Sequence, residues 1–166
     1  MYVACDVRTG YMAGISGQFG TDYLCLPEQP QWTHHSTKGN VVFMYGFTYD
    51  FSEQQSRLFS TANNTSHRKF LNKPVTCAVC YVSQRSTSVM MPASTSCPVG
   101  WTQEYAGYIM SASGRFICVD KTPELASGRD RYGSGDVIYV VKVECGVLPC
   151  SSYRDDWVLT CIVCTK

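Results

Sequence analysis

The chain has 166 residues, a net charge of +1, 16% charged residues and ten cysteines. Lys and Arg form no cluster, which argues against nucleic acid or an anionic membrane as the partner because phosphate binding needs concentrated positive charge. No apolar run is long enough to cross a bilayer, so we expect no membrane insertion.

In chain order, short β-branched and aromatic runs alternate with Gly, Pro, Ser and Asn clusters, which is typical of an all-β protein. Helical residues are confined to 52–59, where Asp50 or Ser52 would cap one or two turns. The Ser- and Thr-rich segment 83–96 is expected to join two parts of the chain and to contain a strand itself. The predicted strands are 23–26, 41–49, 75–83, 88–91, 105–110, 116–119, 137–144 and 158–164.

An internal repeat runs through the chain. The segment that begins Cys25-Leu26-Pro27-Glu28 has a counterpart that begins at Cys118, and each follows a segment rich in Tyr, Gly and Met. The final strands, 75–80 and 159–164, are nearly identical. We predict two related β halves, about 1–83 and 97–166, that share one core in a single disulfide-rich domain of residues 1–166.

One Cys-x-x-Cys motif lies in the final strand of each half. A redox pair needs a helix N-terminus and a zinc site needs a turn between the cysteines, but both segments are β-branched and contain no Gly or Pro there. Residues three apart in a strand point to opposite faces. Cys77 and Cys80 are therefore expected to form disulfides with different partners, as are Cys161 and Cys164.

The remaining cysteines bear on location and assembly. Cys145 and Cys150 indicate an extra bridge or a turn in the second half, and Cys5 is available to bond a second chain. The full disulfide pairing is left open. Cysteine density, together with overlapping glycosylation sequons at Asn63-Asn64-Thr65-Ser66, predicts a secreted, extracellular protein.

Standard catalytic motifs are missing from the sequence. There is no nucleophile elbow, zinc-protease helix, P-loop or dinucleotide fingerprint. The three histidines, His34, His35 and His67, lie in polar loop contexts where solvated histidines are usual. We therefore expect that the protein is not an enzyme.

The stretch from residue 120 to 136 is acidic and glycine-rich. Oxygen ligands on a flexible loop suit Ca²⁺, which takes six to eight of them. Lys121, Arg129 and Arg131 offer an alternative, because they lie among the carboxylates and could pair with them, and Asp120 could hydrogen-bond the backbone of its own turn. The predicted calcium ligands are Asp120, Glu124, Asp130 and Asp136.

Several motifs occur in order along essentially the whole chain, at 75–81, 96–110, 117–121, 148–150 and 159–166. Together they resemble the non-collagenous C-terminal domain of invertebrate short-chain (spongin-type) collagens. In size and in the lack of a Gly-x-y repeat, the chain is similar to the galactose-specific lectins of sea anemones. Residues 151–157 depart from the collagen pattern, which has prolines and no Trp there.

The lectin resemblance implies a homodimer, disulfide-linked or tightly packed, that binds galactose-terminated glycans through a bound Ca²⁺. Galactose offers two cis hydroxyls to the ion, while carboxylates hydrogen-bond the same hydroxyls and an aromatic ring covers the apolar face. Glu104 lies in a shared motif and so also has a structural interpretation, whereas Asp130, Asp136, Asp155 and Asp156 lie outside the shared motifs. Trp32 is a further aromatic candidate. The predicted sugar-binding residues are Arg129, Arg131, Tyr132, Trp157 and Glu104.

A different class of function is also open at this point. The collagen resemblance alone implies a structural extracellular-matrix assembly module with no sugar site. Agglutination that depends on sugar and is abolished by EDTA separates the lectin from the matrix module.

Overall fold

A computed structural model describes residues 8–15, 22–33, 44–59, 70–112, 114–125 and 136–166. In these ranges the chain is almost entirely β, which confirms the predicted all-β, disulfide-rich fold with at most one short helix. No helix in the described ranges has the length and apolar character needed to span a membrane. The elements are β1 Arg8–Ile15, β2 Leu24–Pro27, β3 Met44–Tyr49, α1 Glu53–Ser56, β4 Thr76–Val79, β5 Ser88–Pro92, β6 Thr102–Ser111, β7 Phe116–Asp120, β8 Asp136–Val140 and β9 Thr160–Thr165.

Local sequence explains most of these elements. In α1, Ser52 Oγ accepts a hydrogen bond from Gln55 N at 3.2 Å, and Gln55 Oε1 accepts one from Ser52 N at 2.9 Å. This capping box confirms Ser52 as the cap. Strand β5 confirms that the joining segment contains a strand. Strand β1 was not among the predicted strands, and it forms because it pairs with β2, β3 and β4.

The two halves have the same strand topology. Strand β1 pairs antiparallel with β2, β3 and β4, and β6 pairs antiparallel with β7, β8 and β9. The register also agrees. Gly10 lies opposite Cys77 and Gly107 lies opposite Cys161. In the same way, β1 places Met12 opposite Cys25, as β6 places Ile109 opposite Cys118.

A three-strand junction recurs in both halves and is made by backbone groups. In the second half, Ile109 N donates to Leu159 O at 2.9 Å, Leu159 N donates to Val141 O at 3.0 Å, and Val141 N donates to Ile109 O at 3.0 Å. The first half repeats two of these bonds, from Met12 N to Val75 O at 3.0 Å and from Val75 N to Phe47 O at 2.8 Å. Because side chains take no part, the junction tolerates different residues in the two halves.

The halves meet through a parallel ladder and a shared core. Strands β3 and β8 pair in parallel, with Phe47 opposite Asp136 and Tyr49 opposite Ile138. The ring of Phe59 contacts that of Tyr108 edge-on, with centroids 5.4 Å apart, and so joins an aromatic cluster of the first half to the second. The core residues are Met12, Phe47, Tyr49, Phe51, Phe59, Phe70, Val75, Met110, Val119, Ile138 and Val140.

Disulfides lock the same strands in each half. Cys25 bonds Cys77 across β2 and β4, and Cys118 bonds Cys161 across β7 and β9. Each bond therefore ties together the two strands that flank a central strand. A native disulfide contributes about 2–4 kcal/mol to the free energy of unfolding.

The other described cysteines are also in disulfide bonds. Cys97 bonds Cys164, and Cys145 bonds Cys150. Cys80 is also disulfide-bonded. The two Cys-x-x-Cys motifs are thus not internal pairs, as the alternation of strand side chains predicts. Cys5 lies outside the described residues.

Candidate functional site

Three of the four predicted calcium ligands, Asp120, Glu124 and Asp136, lie in the described part of the chain. Asp120 ends β7, and its Oδ1 accepts hydrogen bonds from Thr122 N and Thr122 Oγ1, both at 2.9 Å. This is the turn interaction that the sequence offered as the alternative to calcium. Glu124 is exposed, and its carbonyl oxygen accepts a bond from Thr76 Oγ1 at 2.6 Å, which holds the loop against β4.

Asp136 opens β8, where its Oδ1 accepts a hydrogen bond from Val137 N at 3.1 Å. Within the described ranges, no group of three or more His, Cys, Asp or Glu side chains is placed to hold a metal ion. Asp130 lies outside those ranges. The described carboxylates do not by themselves fit a calcium site, and the calcium prediction stays a prediction that depends on ligands from residues 126–135.

A partly buried tyrosine, Tyr105, interacts electrostatically with Asp120. Tyr105 Oη donates to the Cys118 carbonyl oxygen at 3.0 Å, which links β6 to β7. Burial raises the pKa of the Tyr105 phenol, and the negative charge of Asp120 raises it further. The Asp120 carboxylate is therefore next to a neutral phenol, and Tyr105 supports the fold at this position.

Glu104 takes part in an internal polar network. Its Oε1 lies 3.0 Å from Arg85 Nη2 and accepts a hydrogen bond from Thr165 Oγ1. The Glu104 side chain is only 18% exposed. This network joins β6 to β9 and to the segment before β5, so the contacts give Glu104 a structural role. Both contacts are made by the same carboxylate oxygen, Oε1.

Residues 153–157 form a fixed turn, here called the Trp157 loop. Asp156 has a positive φ of 65°, its N donates to Val143 O at 2.9 Å, and Val143 N donates to Trp157 O at 2.9 Å. Asp155 Oδ1 accepts from Cys145 N at 2.6 Å. The Cys145–Cys150 disulfide closes the neighbouring segment. Backbone and side-chain bonds therefore pre-organise the loop.

The Trp157 loop displays an aromatic ring among charged groups. Trp157 is 61% exposed, and the guanidinium carbon of Arg154 lies 4.8 Å from its ring centroid. Asp156 pairs with Lys142 Nζ at 3.1 Å, while its side chain remains 85% exposed. An exposed ring beside carboxylates and a guanidinium offers stacking together with hydrogen-bond acceptors and donors, which is the chemistry a sugar ring requires.

Most of the other residues that the sequence singled out cannot be placed relative to this loop, because they lie outside the described residues. Arg129, Arg131 and Tyr132 lie outside the described residues, as do His34, His35 and His67. Trp32 is described and is 84% exposed. Arg154 is the loop residue that the sequence alone did not single out. The feature that could have indicated it is its position three residues before Trp157.

Fold and loop together define a disulfide-bonded all-β domain of two repeats with a rigid aromatic and charged loop at its surface. No protein-family model matches the chain, and no solved structure matches it. The likeness to spongin-type collagen domains and sea anemone lectins therefore rests on the sequence motifs.

Proposed function

We propose that this protein is a secreted lectin that binds galactose-terminated glycans. The observation that carries the proposal is the Trp157 loop, where an exposed ring, a guanidinium and two carboxylates are held by backbone hydrogen bonds. The loop also occupies the segment where the chain departs from the collagen pattern. Sugar binding would thus lie on an addition to a structural scaffold.

Each group in the loop has a task in this proposal. The ring of Trp157 covers the apolar face of galactose, an interaction of about 0.5–1.5 kcal/mol for aromatic contacts in general. Asp155 and Asp156 accept hydrogen bonds from the cis hydroxyls, and Arg154 donates to a ring or hydroxyl oxygen. Since both hydroxyls must point the same way to reach these acceptors, a sugar with an inverted hydroxyl loses one of these hydrogen bonds.

Calcium is part of the proposal because the resemblance to sea anemone lectins implies a bound Ca²⁺. When bound, Ca²⁺ would supply a hard Lewis acid that coordinates sugar hydroxyls. Asp120, Glu124, Asp130 and Asp136 are the residues proposed to hold it. A single sugar site of this kind is weak, so a lectin of this size gains useful avidity as a dimer that presents the site twice.

The test is isothermal titration of galactose into the protein with calcium and then with excess EDTA. We expect binding in calcium and none in EDTA. Trp157→Ala should weaken binding by up to about tenfold, because it removes the stacking surface. Tyr81→Ala is the matched control, since Tyr81 is 71% exposed on another segment.

One result would reject the lectin function, and another would reject only the proposed location of the sugar site. No heat in either buffer, with circular dichroism showing a folded protein, would leave the matrix-module alternative. Binding that Trp157→Ala does not change would remove the Trp157 loop from the site while keeping the lectin. The matrix module is the second candidate because Glu104, in a motif shared with collagen domains, serves the fold.

A further inference from the structure

A disulfide closes residues 145–150 into a ring, here called the 145–150 ring. Residues 146–150 are all exposed, and they include two large aliphatic side chains in succession. Val147 is fully exposed, and Leu148 is 43% exposed. The sequence has no charged residue from 145 to 153. The ring therefore holds an uncharged, apolar tip in water.

The 145–150 ring lies at the closed end of a hairpin. Residues 141–145 run antiparallel to residues 155–159. In this pairing Val143 exchanges backbone hydrogen bonds with Asp156 and Trp157, both at 2.9 Å. The chain that connects the two sides contains the ring. The ring and the Trp157 loop are therefore neighbours at the same end of the hairpin.

Hydrogen bonds hold the ring in one position relative to the Trp157 loop. Pro149 O accepts bonds from Ser152 N and Tyr153 N, both at 3.0 Å. Asp155 Oδ1 accepts a bond from Cys145 N at 2.6 Å, which connects the ring directly to the loop. A tip that is fixed in this way loses little conformational entropy when another surface covers it.

The tip limits the kind of partner that can cover it. A protruding apolar ring cannot enclose a small molecule, so its partner must itself supply an apolar environment. In the function proposed above, the neighbouring Trp157 loop binds galactose. A galactolipid in a bilayer brings both groups together, because its sugar stands at the surface and hydrocarbon lies beneath it. A soluble glycan offers the sugar without the hydrocarbon.

The dimensions of the hairpin end agree with those of a membrane interface. Val147 is four residues beyond Val143, so their Cα atoms are at most about 14 Å apart. Apolar groups of proteins that lie at the interface enter it by about 5–10 Å. With the tip at that depth, Trp157 lies at the level of the headgroups, where amphipathic aromatic rings are favoured.

The charges of the hairpin end favour an uncharged lipid. Its acidic residues, Glu144, Asp155 and Asp156, outnumber its basic residues, Lys142 and Arg154. Anionic lipids attract proteins through clustered Lys and Arg, which this hairpin lacks. Shallow contact with a neutral bilayer needs neither a basic cluster nor a spanning segment. It therefore differs from the membrane insertion that the sequence argues against.

We propose that the galactose is the headgroup of a membrane galactolipid, and that Val147 and Leu148 enter the lipid interface while the Trp157 loop binds the sugar. This inference rests on the proposed lectin function and adds the molecule that carries the sugar. Binding then has two separable parts, which are recognition of the sugar and burial of the tip.

The experiment measures binding of the full chain, in calcium, to phosphatidylcholine vesicles that contain galactosylceramide. Vesicles with glucosylceramide, whose sugar has one inverted hydroxyl, are the lipid control, and free galactose is titrated in parallel by calorimetry. We expect binding to the galactosylceramide vesicles, little binding to the control vesicles, and a higher affinity for the galactosylceramide vesicles than for free galactose.

Val147→Asp tests the tip. It should lower the affinity for galactosylceramide vesicles by about tenfold or more, because it replaces a buried valine with a charge. Its affinity for free galactose should not change. Val99→Asp is the matched control, since Val99 is a fully exposed valine in another turn, and it should bind both ligands as the native chain does.

A fluorescence measurement separates insertion from the avidity of a dimer that binds two headgroups. Brominated acyl chains quench a tryptophan that enters the lipid. Val147→Trp should add fluorescence that these chains quench, whereas the fluorescence that Val99→Trp adds should not be quenched.

The outcomes for this inference and for the lectin function are distinct. Heat with free galactose, together with equal vesicle binding by the native chain and Val147→Asp, would overturn the inference and keep the lectin. The tip would then serve a different partner, such as a pocket in another protein. No heat with free galactose and no vesicle binding would reject the lectin function and this inference together.

Discussion

Gly107 is the position where the fold leaves the least room for a side chain. A Cβ built there would lie 1.8 Å from the Val119 carbonyl oxygen, 2.7 Å from the Val119 carbonyl carbon and 3.0 Å from Asp120 Cα. All three are backbone atoms of β7, whose spacing to β9 is held by the Cys118–Cys161 disulfide. The strand cannot move aside cheaply, so Gly107→Ala forces β6 and β7 apart.

The expected cost of Gly107→Ala is about 3 kcal/mol or more, the upper end of what overpacking costs in other proteins. For a chain of this size that lowers Tm by about 6–12 °C. Thermal unfolding followed by circular dichroism, with the disulfides kept oxidised, measures it. The control is Gly46→Ala, where the nearest atom to a Cβ is Met12 O at 4.0 Å.

Gly46→Ala should leave Tm unchanged or raise it slightly. Ala reduces the conformational entropy of the unfolded chain, which stabilises a protein by about 0.4–1 kcal/mol. Equal Tm values for the two variants would refute the reasoning, since the close approach of β7 to Gly107 would then have no energetic consequence. A fall in Tm for both would point instead to a general intolerance of side chains in these strands.

Two further predictions concern a buried tyrosine, Tyr49, and a partly buried one, Tyr23. Burial raises the pKa of Tyr49 above its ordinary value of 10.0, so the folded state binds this proton more tightly than the unfolded state does. The free energy of unfolding should therefore fall as pH rises above about 10. In urea unfolding at a series of rising pH values, Tyr49→Phe should make that fall smaller. Tyr23 Oη accepts from Ala112 N at 2.8 Å and donates to Arg115 O at 3.1 Å. Tyr23→Phe should therefore cost about 1–3 kcal/mol in urea unfolding at neutral pH; no change in either experiment would contradict the stated cause.

Sequence pattern was a good guide to the strands that carry β-branched residues. Strands β4 and β9 were predicted because Val, Thr and Ile favour extended backbone. Strand β1 was missed because Gly10, Ala13 and Gly14 lack such side chains. Its conformation is decided by pairing on both edges, which is a tertiary effect that no local window contains.

Side-chain alternation showed that neighbouring cysteines in one strand need different partners. It did not show which partners, because pairing depends on strands that are 43 to 67 residues apart in the chain. The candidate site was likewise predictable from the sequence only in part. Trp157 was visible as an aromatic outside the shared motifs, but its fixed turn depends on bonds to Val143 and Cys145. Glu104 was offered for two roles, and only its contact with Arg85 shows the structural one.

The disulfides have a consequence for how the chain would respond to mechanical load. The Cys25–Cys77 bond closes one loop, and the Cys97–Cys164 bond closes another that contains the Cys118–Cys161 bond. A force that pulls on the two ends cannot lengthen the chain inside a closed loop, even after the strands have separated. Cys80 is also disulfide-bonded, so extension is confined to residues 81–96 and to the ends outside the closed loops. The protein would therefore lengthen by a short distance and then resist further extension.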